Sequence, residues 1–219
     1  MKKFGFLIVI LLTLLIHGIS YCQENSPMKP GSVKLEDYDE TKYPDLVKIS
    51  FEEAMNIAMK ALDGKVIEIE LDRQEDYLVY EVEMVQNNGL IEILIDPATG
   101  EVLKVGPEVD KEEEDYEEIK TEHPMEPGSI KVEDYDEIKY PDLAKISFEE
   151  AMNIALKETD GKLIEIELEE QEEYLVFEVE IVTGEERIKE ITIDAGNGKI
   201  LKIGIEKNET DRIEETTTN

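Results

Sequence analysis

The sequence predicts an α+β protein of two tandem small domains, each with one helix packed on an antiparallel three- to four-stranded sheet. Three observations predict it. The chain repeats itself at a shift of 97 residues. Each repeat contains one stretch with apolar residues at helical spacing. That stretch is followed by segments in which apolar and acidic residues alternate.

The duplication comes first because it sets the number of folding units. Pro27-Met28 returns as Pro124-Met125, and 45 of the 59 positions from Pro27 to Val85 are identical in the second copy. After one extra residue the match resumes at a shift of 98, pairing Ile95-Asp96 with Ile193-Asp194 and Leu103-Lys104 with Leu201-Lys202. The period is too long for a solenoid repeat, so two tandem domains are expected.

Ser50-Phe51-Glu52-Glu53 has the form of a capping box, in which the serine oxygen accepts the Glu53 amide and the Glu53 carboxylate reaches back. Phe51, Ala54, Met55, Ala58 and Leu62 then form one apolar stripe. Gly64 stands where a left-handed helix terminator is expected. Ser147, Phe148, Glu150, Ala151, Met152, Ala155 and Gly161 repeat the pattern.

The period then falls to two. Ile67, Ile69 and Leu71 alternate with Glu68 and Glu70. Leu78, Tyr80, Val82 and Met84 share one face of the next strand, with Glu81 and Glu83 on the other. Ile91, Ile93 and Ile95 face inward in a third strand with Glu92 outward. The run Asp96-Pro97-Ala98-Thr99-Gly100 has turn chemistry, and a short fourth strand covers Val102 to Val105. Such alternation predicts a sheet with one face on a core, covered by the helix, and one in water. A module this small has a modest core. The lead-in, residues 30–49, predicts Tyr38, Tyr43 and Leu46 packed along the domain edge, with a partner-binding arm as the alternative.

The amino terminus reads as an export signal over residues 1–20. Lys2 and Lys3 precede a mostly apolar run from Phe4 to Ile16, and Gly18 and Ser20 suit cleavage after Ser20. The run is shorter than the ~20 residues of a membrane-spanning helix. Ile19-Ser20-Tyr21-Cys22 also resembles a lipoprotein processing site, so a lipid anchor at Cys22 and plain secretion both stand as expectations. Either places the mature chain outside the cytoplasm. Residues 21–29 and 206–219 read as disordered, and residues 107–126 as an acidic linker that includes Glu112-Glu113-Glu114-Asp115. The two domains with their lead-ins then occupy residues 30–106 and 127–205.

Composition narrows function. With 55 Asp and Glu against 23 Lys and Arg, the formal charge is −32. Phosphate backbones repel such a chain, so nucleic acid is not an expected partner. One cysteine excludes an internal disulfide or a cysteine-based zinc site. His17 and His123 are the only histidines, which removes the commonest proton shuttle. Ser50 and Ser147 read as helix caps rather than nucleophiles, and His123 as an exposed linker residue. No enzyme and no cofactor are expected.

The order of cap, helix, charged strands and Asp-to-Gly turn resembles the PepSY domain. The resemblance rests on Ile49-Ser50-Phe51-Glu52-Glu53-Ala54 with Ala58, on Asp63 to Leu71, on Tyr77 to Glu83, and on Ile95 to Leu103. It covers residues 48–106 and again 145–204. The second copy departs at Asp194-Ala195-Gly196-Asn197-Gly198, which keeps the turn but loses the threonine. The resemblance implies a fold and no catalytic residues. It also implies an extracytoplasmic protein of the bacterial envelope that restrains a protease or regulates another protein.

The candidate contact surface is the set of outward glutamates. These are Glu68, Glu70, Glu81, Glu83 and Glu92 in the first unit and Glu165, Glu167, Glu178, Glu180 and Glu190 in the second. Three readings stay open: a solvated face eased by Lys65, Arg73 and Lys189, a surface for a basic protein partner, and a weak site for hard cations such as Ca²⁺. No calcium-binding loop motif occurs, so no dedicated metal site is expected. Paired carboxylates could serve glycoside cleavage, but on an open face diluted by water neither would be held protonated.

Overall fold

A computed structural model of the chain describes residues 27–36, 39–107, 124–132, 135–185 and 187–205. The signal segment with Ser20 and Cys22, most of the linker with His123, Tyr38 and the tail lie outside the described residues.

Each repeat forms the expected helix and four strands. Helix α1 spans Phe51–Ala61, followed by β1 (Lys65–Gln74), β2 (Tyr77–Gln86), β3 (Gly89–Ile95) and β4 (Val102–Pro107). The second repeat places a one-turn helix α2 (Tyr140–Leu143) before α3 (Phe148–Glu158), then β5 (Gly161–Gln171), β6 (Tyr174–Thr183), β7 (Ile188–Asp194) and β8 (Ile200–Ile203). Both capping boxes form: the Glu53 amide donates to Ser50 Oγ at 3.2 Å while the Ser50 amide donates to the Glu53 carboxylate at 2.8 Å. The same distances recur at Ser147 and Glu150. These bonds hold the Glu53 carboxyl below its ordinary value, the backbone bond from Ser50 first and its side chain second.

The strands make one antiparallel sheet in the order β4-β3-β2-β1-β5-β6-β7-β8. Two sheets separated by a linker were the expectation; instead the free edge of β1 pairs with that of β5. Glu68 lies opposite Glu167, Ile69 opposite Ile166 and Glu70 opposite Glu165. At the 97-residue shift Ile166 is the counterpart of Ile69, and the Glu68–Glu167 match maps onto the Glu165–Glu70 match, so the halves are related by a pseudo-two-fold axis through Ile69 and Ile166. One continuous hydrophobic core includes buried residues of both repeats, among them Ile69, Tyr80, Ile93, Ile166, Phe177 and Ile191. Phe51 meets Tyr80 edge-on at 5.1 Å between ring centres, and Phe148 meets Phe177 at 4.9 Å.

The lead-ins cross to the opposite half. A 3₁₀ turn over Glu40–Asp45 packs against β5, and α2 packs against β1. Lys162 reaches Asp45, and Lys65 reaches Asp142. Tyr43 and Tyr140 are buried in the core, as expected for an edge-packing role, while Leu46 is 42% exposed. Upstream, Leu78 N–H donates to Val33 at 3.0 Å and Leu175 N–H to Ile130 at 2.9 Å, so each lead-in extends the β1–β2 or β5–β6 hairpin. Ser32 and Ser129 fasten the lead-ins to the last turns through Asp96 and Asp194, with hydroxyl-to-carboxylate distances of 2.8 and 2.7 Å. Order also begins earlier than expected: Lys29 N–H donates to Leu103 at 3.3 Å, and Met125 is buried beside Val176 and Leu201.

Two local expectations are corrected. Gly64 is not a left-handed terminator; among the described residues Gly100 and Gly198 are the glycines with positive φ. At Gly64 a Cβ would stand 2.8 Å from the Val85 carbonyl oxygen, and at Gly161 2.4 Å from that of Val182, so close approach of β2 and β6 requires glycine there. Ile67 does not continue the Ile69–Leu71 face. A bulge between Val66 and Glu68 lets Val66 enter the common core instead.

Candidate functional site: a carboxylate field across the seam

Strand alternation sends α1 and α3 to one face of the sheet and the glutamates to the other. Strand register then arranges all ten predicted glutamates in two rows. One runs Glu92, Glu83, Glu68, Glu167, Glu178 across β3, β2, β1, β5 and β6. The other runs Glu81, Glu70, Glu165, Glu180, Glu190 across β2, β1, β5, β6 and β7. The pseudo-axis exchanges the rows. Adjacent strands lie about 4.8 Å apart, so each carboxylate inside a row has like-charged neighbours on both sides, and each at a row end has one.

The field is not diluted in water as the sequence suggested. Glu81, Glu83 and Glu92 are only 1%, 7% and 4% exposed, and the other seven are half-buried. Joining the two sheets removes the solvent-facing edge that each β1-type strand would otherwise have. Apolar clusters frame the field: Val79, Leu94 and Leu103 on one side, and Met125, Val176 and Leu201 together with Ile164, Val182 and Ile188 on the other.

The anticipated counter-charges lie elsewhere in the register. Lys65 is engaged with Asp142, and Arg73 and Lys189 lie opposite Leu78 and Ile181, which pack in the helix-side core. Lys104 instead meets Glu92 at 2.7 Å, and Lys202 meets Glu190 at 2.8 Å, one at each end of the field. Gln74 bridges Asp72 and Glu81 at 3.1 and 2.8 Å, while Gln171 bridges Glu169 and Glu178. Sequence reasoning missed Lys104, Lys202, Gln74 and Gln171. The alternation of β1 and β5 continues to Asp72, Gln74, Glu169 and Gln171 and could have pointed to the last four of that face.

Protonation follows from crowding. Burial, then Glu180, Glu70, Glu68 and Glu167, push the Glu165 carboxyl well above the ordinary range. Burial first and then the charge of Glu178 raise Glu169 to about 9; burial first and then the charge of Glu190 raise Glu178 to about 6 against bonds to Gln171 and Glu169, so the pair shares a proton near neutrality. Burial pushes the Lys202 ammonium down, but its bond to Glu190 and the charges of Glu190, Glu178 and Glu169 outweigh that and hold it above its ordinary value.

Chemically, such a surface can exchange protons, attract cations and receive basic side chains. The carboxylate oxygens of Glu68, Glu70 and Glu165 can lie within 4.8 Å of one another, as can those of Glu70, Asp72 and Glu81, a spacing open to a hard cation. An open depression lined by Ile146, Glu150, Asn153, Ile154, Lys157, Asn197 and Gly198 lies against α3, on the opposite face from the carboxylates. Among the described residues no helix is long and apolar enough to cross a membrane.

The chain is 30% identical over 151 residues to the uncharacterized protein YkoJ of Bacillus subtilis (strain 168), covering 69% of this chain and 71% of that one. The crystal structure of a protein titled "a putative lipoprotein (CD1622)" from Clostridium difficile 630 aligns with 73% of this chain and 95% of its own. The identity is 24% and the TM-score 0.41. Residues 48–105 and 145–203 each match the PepSY family, described as the peptidase propeptide and YPEB domain. Two matching segments, one in each half of a self-paired sheet, make this chain a member of the PepSY family with the domain present twice.

Proposed function

We propose that the protein works outside the cytoplasm as a non-enzymatic binder of another protein, the favoured partner being a secreted or envelope protease that it restrains. The observation behind this reading is the double row of glutamates on a chain of net charge −32, a surface suited to steering and seating a basic partner. Family membership supports it, because one member type is the peptidase propeptide. Export through residues 1–20, with release or lipid anchoring at Cys22, belongs to the same proposal.

The test is cross-linking of the full chain in its native envelope, beside an E68Q/E70Q/E165Q/E167Q variant. The expected result is recovery of a basic extracytoplasmic protease whose rate falls when the purified chain is added, with weaker recovery for the variant. An unchanged rate for every secreted and envelope protease of the source cell would overturn the inhibitory reading.

The two carboxylate triads favour a second reading, an acidic surface module that gathers cations. Calorimetry with Ca²⁺ separates the two. Millimolar or tighter binding that is lost in E70Q, the residue common to both triads, supports the second.

A further inference from the structure

The halves meet along one strand pair whose matched register is three residues long, and two of those three matches are Glu opposite Glu. A joint built to be permanent would place apolar or opposite-charge pairs there. The four seam carboxylates, Glu68, Glu70, Glu165 and Glu167, are also backed by acids from within their own halves. Glu83 flanks Glu68 and Glu81 flanks Glu70 on β2. Glu180 flanks Glu165 and Glu178 flanks Glu167 on β6. Along β1 and β5 the next acids are Asp72 and Glu169, held by Gln74 and Gln171. Beyond Glu83 and Glu180 lie Glu92 and Glu190, where ammonium groups engage the field, Lys104 from β4 and Lys202 from β8. Near the seam, Lys65 and Lys162 are committed to Asp142 of α2 and Asp45 of the 3₁₀ turn.

We propose that this seam is a pH-sensitive joint, in which proton uptake by the four facing glutamates tightens the pairing of β1 with β5 and proton loss loosens it. A neutral carboxyl can donate its O–H to the carboxylate opposite, turning a repelling pair into a hydrogen-bonded one. Two ionised carboxylates in the same place repel across a partly desolvated gap. The raised position of Glu165 has the matching sign. A group that holds its proton more tightly in the joined state stabilises that state in acid, and its contribution is withdrawn as pH climbs. The Lys65–Asp142 and Lys162–Asp45 pairs tie the lead-in turns to the ends of the seam. This inference does not depend on any partner.

The experiment is amide hydrogen exchange on the full chain at pH 5.5 and 8.5, corrected for intrinsic exchange. Segments 68–70 and 165–167 are compared with the centres of β2 and β6. The expected result is at least a tenfold loss of protection at the seam between the two pH values, with little change at Tyr80–Val82 and Phe177–Val179. The E68Q/E70Q/E165Q/E167Q variant should stay protected at pH 8.5, and E68Q/E167Q or E70Q/E165Q alone should cut the response. A nitroxide pair at D63C and D160C, in a C22S background, should show a broader distance distribution at the higher pH. Seam protection indifferent to pH, or a pH response that survives in the glutamine variants, would overturn the proposal.

Discussion

Ile69 lies directly opposite Ile166, its own counterpart in the other repeat, and both side chains are wholly buried. The pairing is therefore isologous, the arrangement of a two-fold dimer, within a single polypeptide. On the helix side it joins two cores into one; on the other it sets carboxylate against carboxylate.

Ile166→Ala should be strongly destabilising. The side chain is fully buried in the core common to both halves, and such truncations cost about 2–5 kcal/mol. Urea unfolding monitored by circular dichroism should show a single transition at a lower midpoint. Two separated transitions in the parent protein would show that the halves unfold independently.

Lys104→Met should cost more than Lys29→Met. Lys104 neutralises a nearly buried Glu92, and stranding a buried carboxylate costs about 3–5 kcal/mol. Lys29 and Glu101 are both well exposed, and pairs of that kind contribute about 0–1 kcal/mol. Denaturant midpoints of the two variants give the comparison directly.

The acid side of the stability profile should depend on Asp96. Burial pushes its carboxyl up, yet bonds from the Ser32 side chain and backbone, from Ala98 and from Thr99 outweigh that and leave it below its ordinary value. A depressed group stabilises the fold above its unfolded value of 3.8, and that contribution is lost as pH falls further. Asp96→Asn should remove about 1–3 kcal/mol at neutral pH and flatten the profile below pH 4, read by thermal melting across pH.

The alkaline side should depend on Glu169 and Glu178. Their folded values, about 9 and about 6, lie above the ordinary 4.5. Their contribution is complete below 4.5 and disappears as pH rises through 6 and then 9. The melting temperature should thus decline from mild acid toward pH 9, and Glu169→Gln should remove part of that decline.

Ser50→Ala and Ser147→Ala should each cost about 1 kcal/mol, because each serine accepts an amide that would otherwise be orphaned at a helix start. The caps are in separate repeats, so the double variant should show the sum.

The elements were legible because their signals are local. The Ser50-to-Glu53 box, the Phe51–Ala58 stripe and the alternation of Leu78 to Met84 each depend on neighbours a few residues apart, and each has the structure expected. The Asp96-to-Gly100 turn and its counterpart ending at Gly198 were legible for the same reason, and both glycines take positive φ there. What joins the repeats was not. Alternation in Lys65–Gln74 says which side chains share a face, but says nothing of which strand lies alongside, and the partner of Ile69 is 97 residues away. Once that pairing was missed, the state of the glutamates followed wrongly: residues that would be solvated on an isolated edge strand become half-buried at the middle of an eight-stranded sheet. The roles of Lys65, Lys162 and the lead-in turns were hidden by the same step, since all of them contact the other half.

Covalent tethering also frees the two-fold from having to be perfect. Leu94 in the first half corresponds to Thr192 in the second, whose hydroxyl turns to Gln171, and Arg73 corresponds to Glu170, which accepts from Tyr140. A true homodimer offers a visitor two indistinguishable orientations. This polypeptide has a left end and a right end, so whatever settles on its acidic side can be told which way round to lie.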